Sequence, residues 1–354
     1  MIRTAIVGTG GIARSHAEAI QQLGGQIELV AAVDVDARRL EHFRETYGVP
    51  AGYADINEML ASEKPDLVQI ATPPALHVDL SIQALESGAW VLCEKPLCGS
   101  LAEVDRLQDA EASTGRYCAV LFQWRYGAAA AHVKRLIDEQ QMGRPLVAVC
   151  NTLWYRNDDY YAVPWRGTWA SELGGVSTGH AIHIMDLLLY LLGDWSEVRA
   201  VMDTLERDIE VEDVLLATLR FDNGALASIT NSVLSPRQES YLRLDFQKAT
   251  LELTTLYGYS NENWRFTALP GEDASAWATI PGSAKASHAA ALGHVLECMQ
   301  RNERPLTSGA EARRTVDYLS SLYKSAFTGQ PVKRGSIRPG DPFYTAGTKE
   351  VLAT

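Results

Sequence analysis

The chain opens MIRTAIVGTGGIA, and no other stretch limits its fold so strongly. An apolar run, residues 4–7, ends in Gly8, Gly10 and Ala13 with the spacing G-x-G-x-x-A. The residues that follow, RSHAEAIQQL, suit a helix. A strand must therefore turn sharply into a helix. Gly8 permits the turn, Gly10 lets the backbone approach a pyrophosphate, and Ala13 lets the helix pack near the sheet, with the helix N-terminus facing the phosphates. A second apolar run, IELVAAVD, brings Asp34 to its C-terminal end. That lies about 20 residues beyond the glycines, where a carboxylate can take both ribose hydroxyls of an adenosine. Gly8, Gly10, Gly11, Ile12, Asp34 and the nearby Arg39 are the expected contacts of a dinucleotide. A 2′-phosphate would meet like charge at Asp34, so NAD is expected over NADP, with Arg38 and Arg39 placed to soften the preference.

In the first third, TAIVG, ELVAAVD, LVQIATP, WVLCEKP and YCAVLFQ read as buried strands. Helical stretches lie between them, among them ARRLEHFRETYG and HVDLSIQALESG, several ending in glycine as helix C-termini do. Alternation at this spacing predicts an α/β fold with a parallel, doubly wound sheet over residues 1–124, its ligands collected at the carboxyl ends of the strands. From residue 125 the pattern changes. One helix, GAAAAHVKRLIDEQQMG, precedes strand-like runs from PLVAVCNTLWY to TLELTTLYG, and FDNGALASI reads as two strands around an Asn-Gly turn. These predict a second, α+β domain over residues 125–354 with an open, mostly antiparallel sheet. Two helices, in SHAAALGHVLECMQRN and SGAEARRTVDYLSSLYKSAF, close it, and an irregular tail from Pro331 is placed to wrap a neighbour.

The 354 residues are ample for two domains. The chain is 46% hydrophobic and 21% charged, hence globular, and its net charge of −12 without a basic cluster argues against nucleic acid or an anionic membrane as partner. Its longest apolar stretch, near Leu187 to Leu192, is too short to span a bilayer. Cys93, Cys98, Cys118, Cys150 and Cys298 form an odd set with no metal-ligand spacing. With a first strand starting at residue 2 or 3, leaving no room for a targeting segment, they predict free thiols in a reducing cytoplasm.

Three further constellations carry chemistry. ATPPALH, residues 71–77, follows a strand and puts Thr72, Pro73 and His77 at the cofactor edge. CEKP, residues 93–96, ends the next strand with Glu94 and Lys95. At that edge a lysine faces the nicotinamide. In GGVSTGHAIHIMDLLLYLLG, residues 174–193, His180, His183 and Leu187 share one helix face behind Gly174 and Gly175. Oxidising a secondary alcohol removes a hydride and releases a proton. Imidazole takes a proton near neutral pH, and a cation beside the oxygen stabilises developing alkoxide. The cofactor receives the hydride, so no metal is required, and no Cys/His cluster points to one. Trp154, Tyr155, Arg156, Tyr160, Tyr161, Trp165 and Trp169, in LWYRNDDYYAVPWRGTW, suit either a sugar pocket or an aromatic lid or interface loop.

GTGGIA, Asp34, TPPALHVDLSIQALESGAWVLCEKPL and the GG…H-x-x-D helix together resemble the glucose–fructose oxidoreductase/inositol dehydrogenase (Gfo/Idh/MocA) family from residue 2 to about residue 335. The resemblance implies a Rossmann domain followed by an α/β domain whose open sheet joins subunits, as a homodimer or homotetramer. It implies oxidation or reduction of a hydroxyl of a sugar, inositol or related polyol with NAD(H) or NADP(H). By the same resemblance Lys95 bonds the reacting oxygen, the Lys95–Pro96 bond is cis, and His183 exchanges a proton with the substrate hydroxyl. Asp186 is a buried supporting carboxylate, Arg166 lies near substrate or nicotinamide, and Gln123 and Arg125 match a pair touching cofactor and substrate. Tyr155, Trp165 and His180 complete the expected substrate contacts. One departure stands out. Many members carry Asp four residues before the histidine, where this chain has Gly179, next to His180. Either His180 replaces that Asp or it binds substrate hydroxyls. The competing functions are a hydride shuttle with tightly held NAD acting through a transient keto intermediate, and a non-catalytic dinucleotide- or sugar-binding regulator.

Overall fold

The computed structural model describes residues 1–345. The chain forms two compact units: Met1–Leu121 with His288–Arg313, and Phe122–Ser287 with the residues from Arg314 onward.

The first unit runs β1 (Ile2–Val7), α1 (Ala13–Leu23), β2 (Ile27–Val33), α2 (Ala37–Tyr47), β3 (Ala51–Tyr53), α3 (Ile56–Glu63), β4 (Leu67–Ile70), α4 (His77–Glu86), β5 (Trp90–Cys93), α5 (Leu101–Thr114) and β6 (Cys118–Val120). Its strands are parallel in the order β3-β2-β1-β4-β5-β6, so the order reverses at β1. Helices on both faces bury β4 and β5 completely, which is why those strands read as unbroken apolar runs. Asp36, Asp55 and Ser100 cap α2, α3 and α5 through their side chains, and Gly48 and Gly115 end α2 and α5 in the left-handed conformation. Register fixes the functional edge. Val33 pairs with Val7, Val7 with Ile70, and Ile70 with Cys93. Asp34, Gly8, Ala71 and Glu94 therefore emerge side by side.

The second unit contains α6 (Ala128–Asp138), β7 (Pro145–Tyr155), the short helices α7 (Asp158–Tyr161) and α8 (Trp169–Glu172), α9 (Ile182–Leu192), β8 (Trp195–Asp203), β9 (Val214–Phe221), β10 (Leu226–Ser232), β11 (Leu234–Phe246), β12 (Ala249–Thr255), β13 (Trp264–Ala268) and α10 (Ser275–Ala278). Next in the chain, α11 (His288–Arg301) packs against α1 in the first unit, although its sequence lies in the stretch expected to form the second domain. The division falls within α12 (Ala310–Thr328), and β14 (Val332–Lys333) and α13 (Pro342–Thr345) follow. The eight-stranded sheet has the order β13-β12-β11-β7-β10-β9-β8-β14. Among the described residues of this sheet, only β7 and β10 pair in parallel. β9 alternates buried and outward residues, the mark of a sheet covered on one face. The covering helix α9 is buried except at Tyr190.

Two expectations need correction. The tail is not irregular throughout, because β14 adds to the edge of its own sheet at β8; residues 346–354 of the tail lie outside the described residues. The segment Trp169–Leu192 is long and apolar enough to cross a membrane by composition, yet 89% of its apolar window is buried inside the protein, as in a core helix.

Candidate active site

The edge of the first unit is shaped to receive a dinucleotide. Gly8 has φ +92°, and a Cβ there would come within 2.7 Å of the Ala71 carbonyl oxygen. Only glycine satisfies both constraints. Gly10 and Gly11 have nothing within 4 Å of their would-be Cβ positions, leaving open space above the turn. Ile12 is the N-cap of α1. Asp34 accepts from the Thr9 amide (2.8 Å), the Thr9 hydroxyl (2.9 Å), the Asp36 amide (2.8 Å) and Arg39 (3.0 Å). Burial pushes its carboxyl up, but these bonds outweigh that and hold it below the usual range.

The TPP and EKP loops are tied together by His77. Its Nδ1 lies 2.7 Å from the Pro96 carbonyl and its Nε2 2.9 Å from the Thr72 carbonyl, and it is fully buried. The contacts observed for His77 are thus structural, where a cofactor contact was expected. Thr72 and Pro73 remain half-buried beside it. The Lys95–Pro96 bond is cis. Lys95 is half-buried, and its amide donates to Glu94 Oε2 at 3.2 Å.

Glu94 belongs to a cluster the sequence did not reveal. His16 Nε2 (3.2 Å) and His288 Nε2 (3.1 Å) both meet its Oε1. Gln69 donates to the Thr4 hydroxyl, which donates to the Leu67 carbonyl, so the Gln69 carbonyl oxygen faces His16 Nδ1 at 2.7 Å. Burial pushes the Glu94 carboxyl up, and the two imidazoles overcome this and hold it well below the usual range. Among the described residues this is the grouping with metal-ligand spacing, its ligand atoms within 4.8 Å of one another. The hydrogen bonds account for its geometry. Residues 16, 94 and 288 are distant in sequence, so no local pattern could have announced it.

The second unit gathers the histidines into a belt of rings. His183 lies between Trp124 (6.1 Å, stacked) and Tyr257 (5.3 Å, edge-on). Tyr257 meets Trp154 at 5.9 Å, and Trp154 meets His180 at 5.0 Å. His180 meets Tyr160 at 5.4 Å. The Arg166 guanidinium sits over Tyr160 (3.8 Å) and Trp165 (4.4 Å) and donates to the Tyr160 hydroxyl. Arg156 stacks on Trp154 and Tyr160. Gln123 joins by donating to the Tyr257 hydroxyl at 3.1 Å. Tyr155 is exposed beneath Arg207, and Trp169 packs in the core against Tyr323 and Phe327.

The expected helix does not run uniformly. Ser177–Ala181 form a π turn before α9, a distortion common at functional sites. It begins where the chain is pinned. A Cβ at Gly174 would strike the Tyr323 hydroxyl, and one at Gly175 the Glu212 carbonyl. The buried Glu212 carboxylate accepts from the Gly175 (2.8 Å) and Ser177 (3.0 Å) amides and the Tyr323 hydroxyl (3.0 Å).

Arg125 was expected at the substrate and is found elsewhere. Its Nε and Nη2 meet Asp186 Oδ2 and Oδ1, each at 2.7 Å, and both side chains are completely buried. Thr315 adds a bond to Asp186 at 2.8 Å. Asp186 is the buried supporting carboxylate expected of it, and Arg125 is the group it holds.

A reversing parallel sheet, a glycine turn with open space above it and an oriented Asp34 define a class, the NAD-binding oxidoreductases. Residues 2–122 match the oxidoreductase family with an NAD-binding Rossmann fold, and residues 130–252 match the GFO/IDH/MocA C-terminal domain. The chain belongs to the Gfo/Idh/MocA family of dehydrogenases. It is 27% identical to D-apiose dehydrogenase of Paraburkholderia graminis, covering 97% of this chain and 92% of that one. It is 26% identical to scyllo-inositol 2-dehydrogenase (NAD(+)) of Bacillus subtilis, covering 94% and 96%. Among solved structures, the WlbA dehydrogenase from Bordetella pertussis in complex with NADH and UDP-GlcNAcA superposes with a TM-score of 0.85 at 29% identity, covering 94% of this chain and 98% of that one.

Proposed function

We propose that the protein oxidises or reduces a hydroxyl-bearing carbon of a sugar, inositol or related polyol, using NAD in preference to NADP. The observation that carries this reading is the belt of rings around His183 and His180. Aromatic faces suit the apolar face of a sugar ring, and the imidazoles and Arg166 suit its hydroxyls. The first unit fits the cofactor through Gly8, the open space at Gly10 and Gly11, Ile12 and Asp34, with Arg39, Thr72, Pro73 and Glu94 as further contacts. When bound, NAD supplies the hydride acceptor. The protein does the rest. The Lys95 ammonium bonds the reacting oxygen and stabilises developing negative charge. His183 takes the hydroxyl proton during oxidation and returns it during reduction. The unit of Met1–Leu121 with His288–Arg313 serves the cofactor, and the other unit the substrate and subunit contacts. The buried free cysteines accord with a cytoplasmic protein.

The test is a panel of inositols, aldoses, sugar acids and anhydrosugars with NAD and NADP. NADH accumulating in solution separates a dehydrogenase from a hydride shuttle. With a turned-over substrate, Lys95→Ala and His183→Ala should each lower turnover by on the order of 10²–10⁴-fold with NAD affinity little changed. Near-wild-type turnover in His183→Ala would remove the mechanism.

A further inference from the structure

Among the described residues, the guanidiniums of Arg156, Arg166 and Arg207 stack on rings of residues 154–165, and they differ in what meets their charge. Arg207 pairs with Asp158 at 2.8 Å, and Arg166 meets Glu172 Oε1 at 3.5 Å. Arg156 is half-buried and makes no ion pair with a carboxylate among the described residues. Its Nη1 donates to the Tyr155 carbonyl at 2.8 Å, which leaves the Nε–Nη2 edge without a protein acceptor among the described residues. The guanidinium sits over Trp154 at 4.8 Å and Tyr160 at 5.3 Å. These are the rings that flank His180, at 5.0 Å and 5.4 Å. We propose that Arg156 is a carboxylate-binding subsite and that the substrate is a sugar acid, uronic or aldonic, whose carboxylate pairs with the Nε–Nη2 edge. The inference deepens the proposed function and rests on the sugar lying against the ring belt.

Burial and charge balance support the assignment. A guanidinium that gives up water without an anion to meet it is destabilised. Stacking on two rings offsets part of that loss but supplies no counter-charge. Burial pushes the Arg156 guanidinium below its usual range, and the neighbour acting against this is the Tyr161 phenol, not a carboxylate. Arg166 is the contrast: burial acts on it too, but Glu172 opposes the effect, while Arg156 repels it. Arg166 and Glu172 are neutral as a pair, so the uncompensated guanidinium on these rings is Arg156. One positive charge matches one carboxylate, whereas a phosphate monoester carries roughly −1.5 to −2 at pH 7. The shape matches as well, because two parallel N–H donors on a rigid fork meet the two oxygens of a carboxylate. A neutral sugar would leave the charge unmet. The chain carries a net charge of −12, so an anionic substrate is repelled by the molecule at large and needs a local cation to hold it.

The experiment measures binding by calorimetry to protein saturated with NADH, so the readout does not depend on hydride leaving the sugar. D-glucuronate, D-galacturonate and D-gluconate are each compared with the neutral parent, D-glucose, D-galactose or D-glucitol, and D-glucose 6-phosphate is the phosphate arm. At least one acid should bind about tenfold or more tighter than its parent, as a hydrogen bond to a charged group implies. Arg156→Gln should abolish that preference. Arg156→Lys should keep part of it, since lysine retains the charge but not the fork. Arg207→Gln should leave it as in wild type, since Asp158 already meets that charge. No acid bound more tightly than its parent would overturn the proposal, and this wild-type comparison stands whatever the stability of the variants. The phosphate bound more tightly than every acid, a preference that survives in folded Arg156→Gln, or an equal loss in Arg207→Gln would overturn it too. Acid binding that depends on Arg156, with no NADH formed from any acid or neutral sugar and NAD, leaves the subsite standing and fails the dehydrogenase reading. Turnover of neutral sugars with the acids unbound does the reverse.

Discussion

At the scale of single residues, two carboxylates decide how the first unit meets its ligand and how it responds to pH. All four acceptor positions of Asp34 are taken by protein donors. A ribose hydroxyl must displace one, and the donor free to move is Arg39, whose side chain is 55% exposed. Arg39 released from Asp34 is also the group able to meet a 2′-phosphate. Arg39→Ala should widen the preference for NAD, whereas Asp34→Ala should narrow or invert it. The second change should cost NAD roughly tenfold or more in affinity, since a hydrogen bond to a charged group contributes about 1.5–3 kcal/mol. Fluorescence titration with both dinucleotides at one salt concentration measures this, and unchanged ratios would refute it. Glu94 makes a separate prediction. Its carboxyl sits well below the usual range in the folded protein and near about 4.3 when unfolded. The unfolded chain thus binds the proton more readily. The stabilisation is fully present above the unfolded value and is lost as pH falls through the folded one. Glu94→Gln should melt below wild type at about pH 7, and the gap should close as pH drops under about 4. A gap constant across thermal melts over that range would count against the paired-carboxylate account.

At the scale of elements, α9 is held in place by a buried charge. The bidentate Arg125–Asp186 pair joins the turn at Gln123–Tyr126 to α9, and α12 contributes Thr315. Removing one partner strands the other without water. Arg125→Met or Asp186→Asn should therefore destabilise the protein by about 3–5 kcal/mol, read as a fall in denaturant midpoint. A double Arg125→Met/Asp186→Leu variant should lose less, since no lone charge remains; equal losses in single and double variants would show that packing dominates. This pair also shows what a sequence can disclose. The glycine turn, Asp34 and the strand ends were legible because a parallel strand, its turn and its cap are local patterns with fixed offsets. The GG…H-x-x-D helix was legible for the same reason. Arg125 was not, because whether an arginine faces substrate or a buried aspartate depends on α9 and α12 folding over it. The π turn and the joining of His16 to His288 were hidden likewise, each set by contacts between elements.

At the scale of the whole molecule, one face of the second unit's sheet is left uncovered among the described residues. Val147, Val201, Leu216 and Leu226 point outward from β7, β8, β9 and β10 and are 47%, 62%, 45% and 48% exposed. They form two cross-strand pairs, Val201 with Leu216 and Leu226 with Val147. Polar residues such as Thr218, Arg220 and Ser228 alternate with them on the same face. That composition suits a contact between folded subunits, with apolar side chains removed from water and hydrogen-bonding groups between them. The expected state in solution is a homodimer or homotetramer joined through this face. Light scattering at micromolar concentration should then give a mass at least twice the 38.8 kDa of one chain. Val201→Glu/Leu216→Glu places two carboxylates on this outer face without touching the core, so it should release monomers whose thermal unfolding remains cooperative. Each fully buried aliphatic side chain is worth about 1.5–3 kcal/mol, and isologous pairing would bury every one twice. The double variant should accordingly raise the dissociation constant by several orders of magnitude. A wild-type protein of 38.8 kDa only, or a variant that keeps the assembled mass, would show that this face does not join subunits.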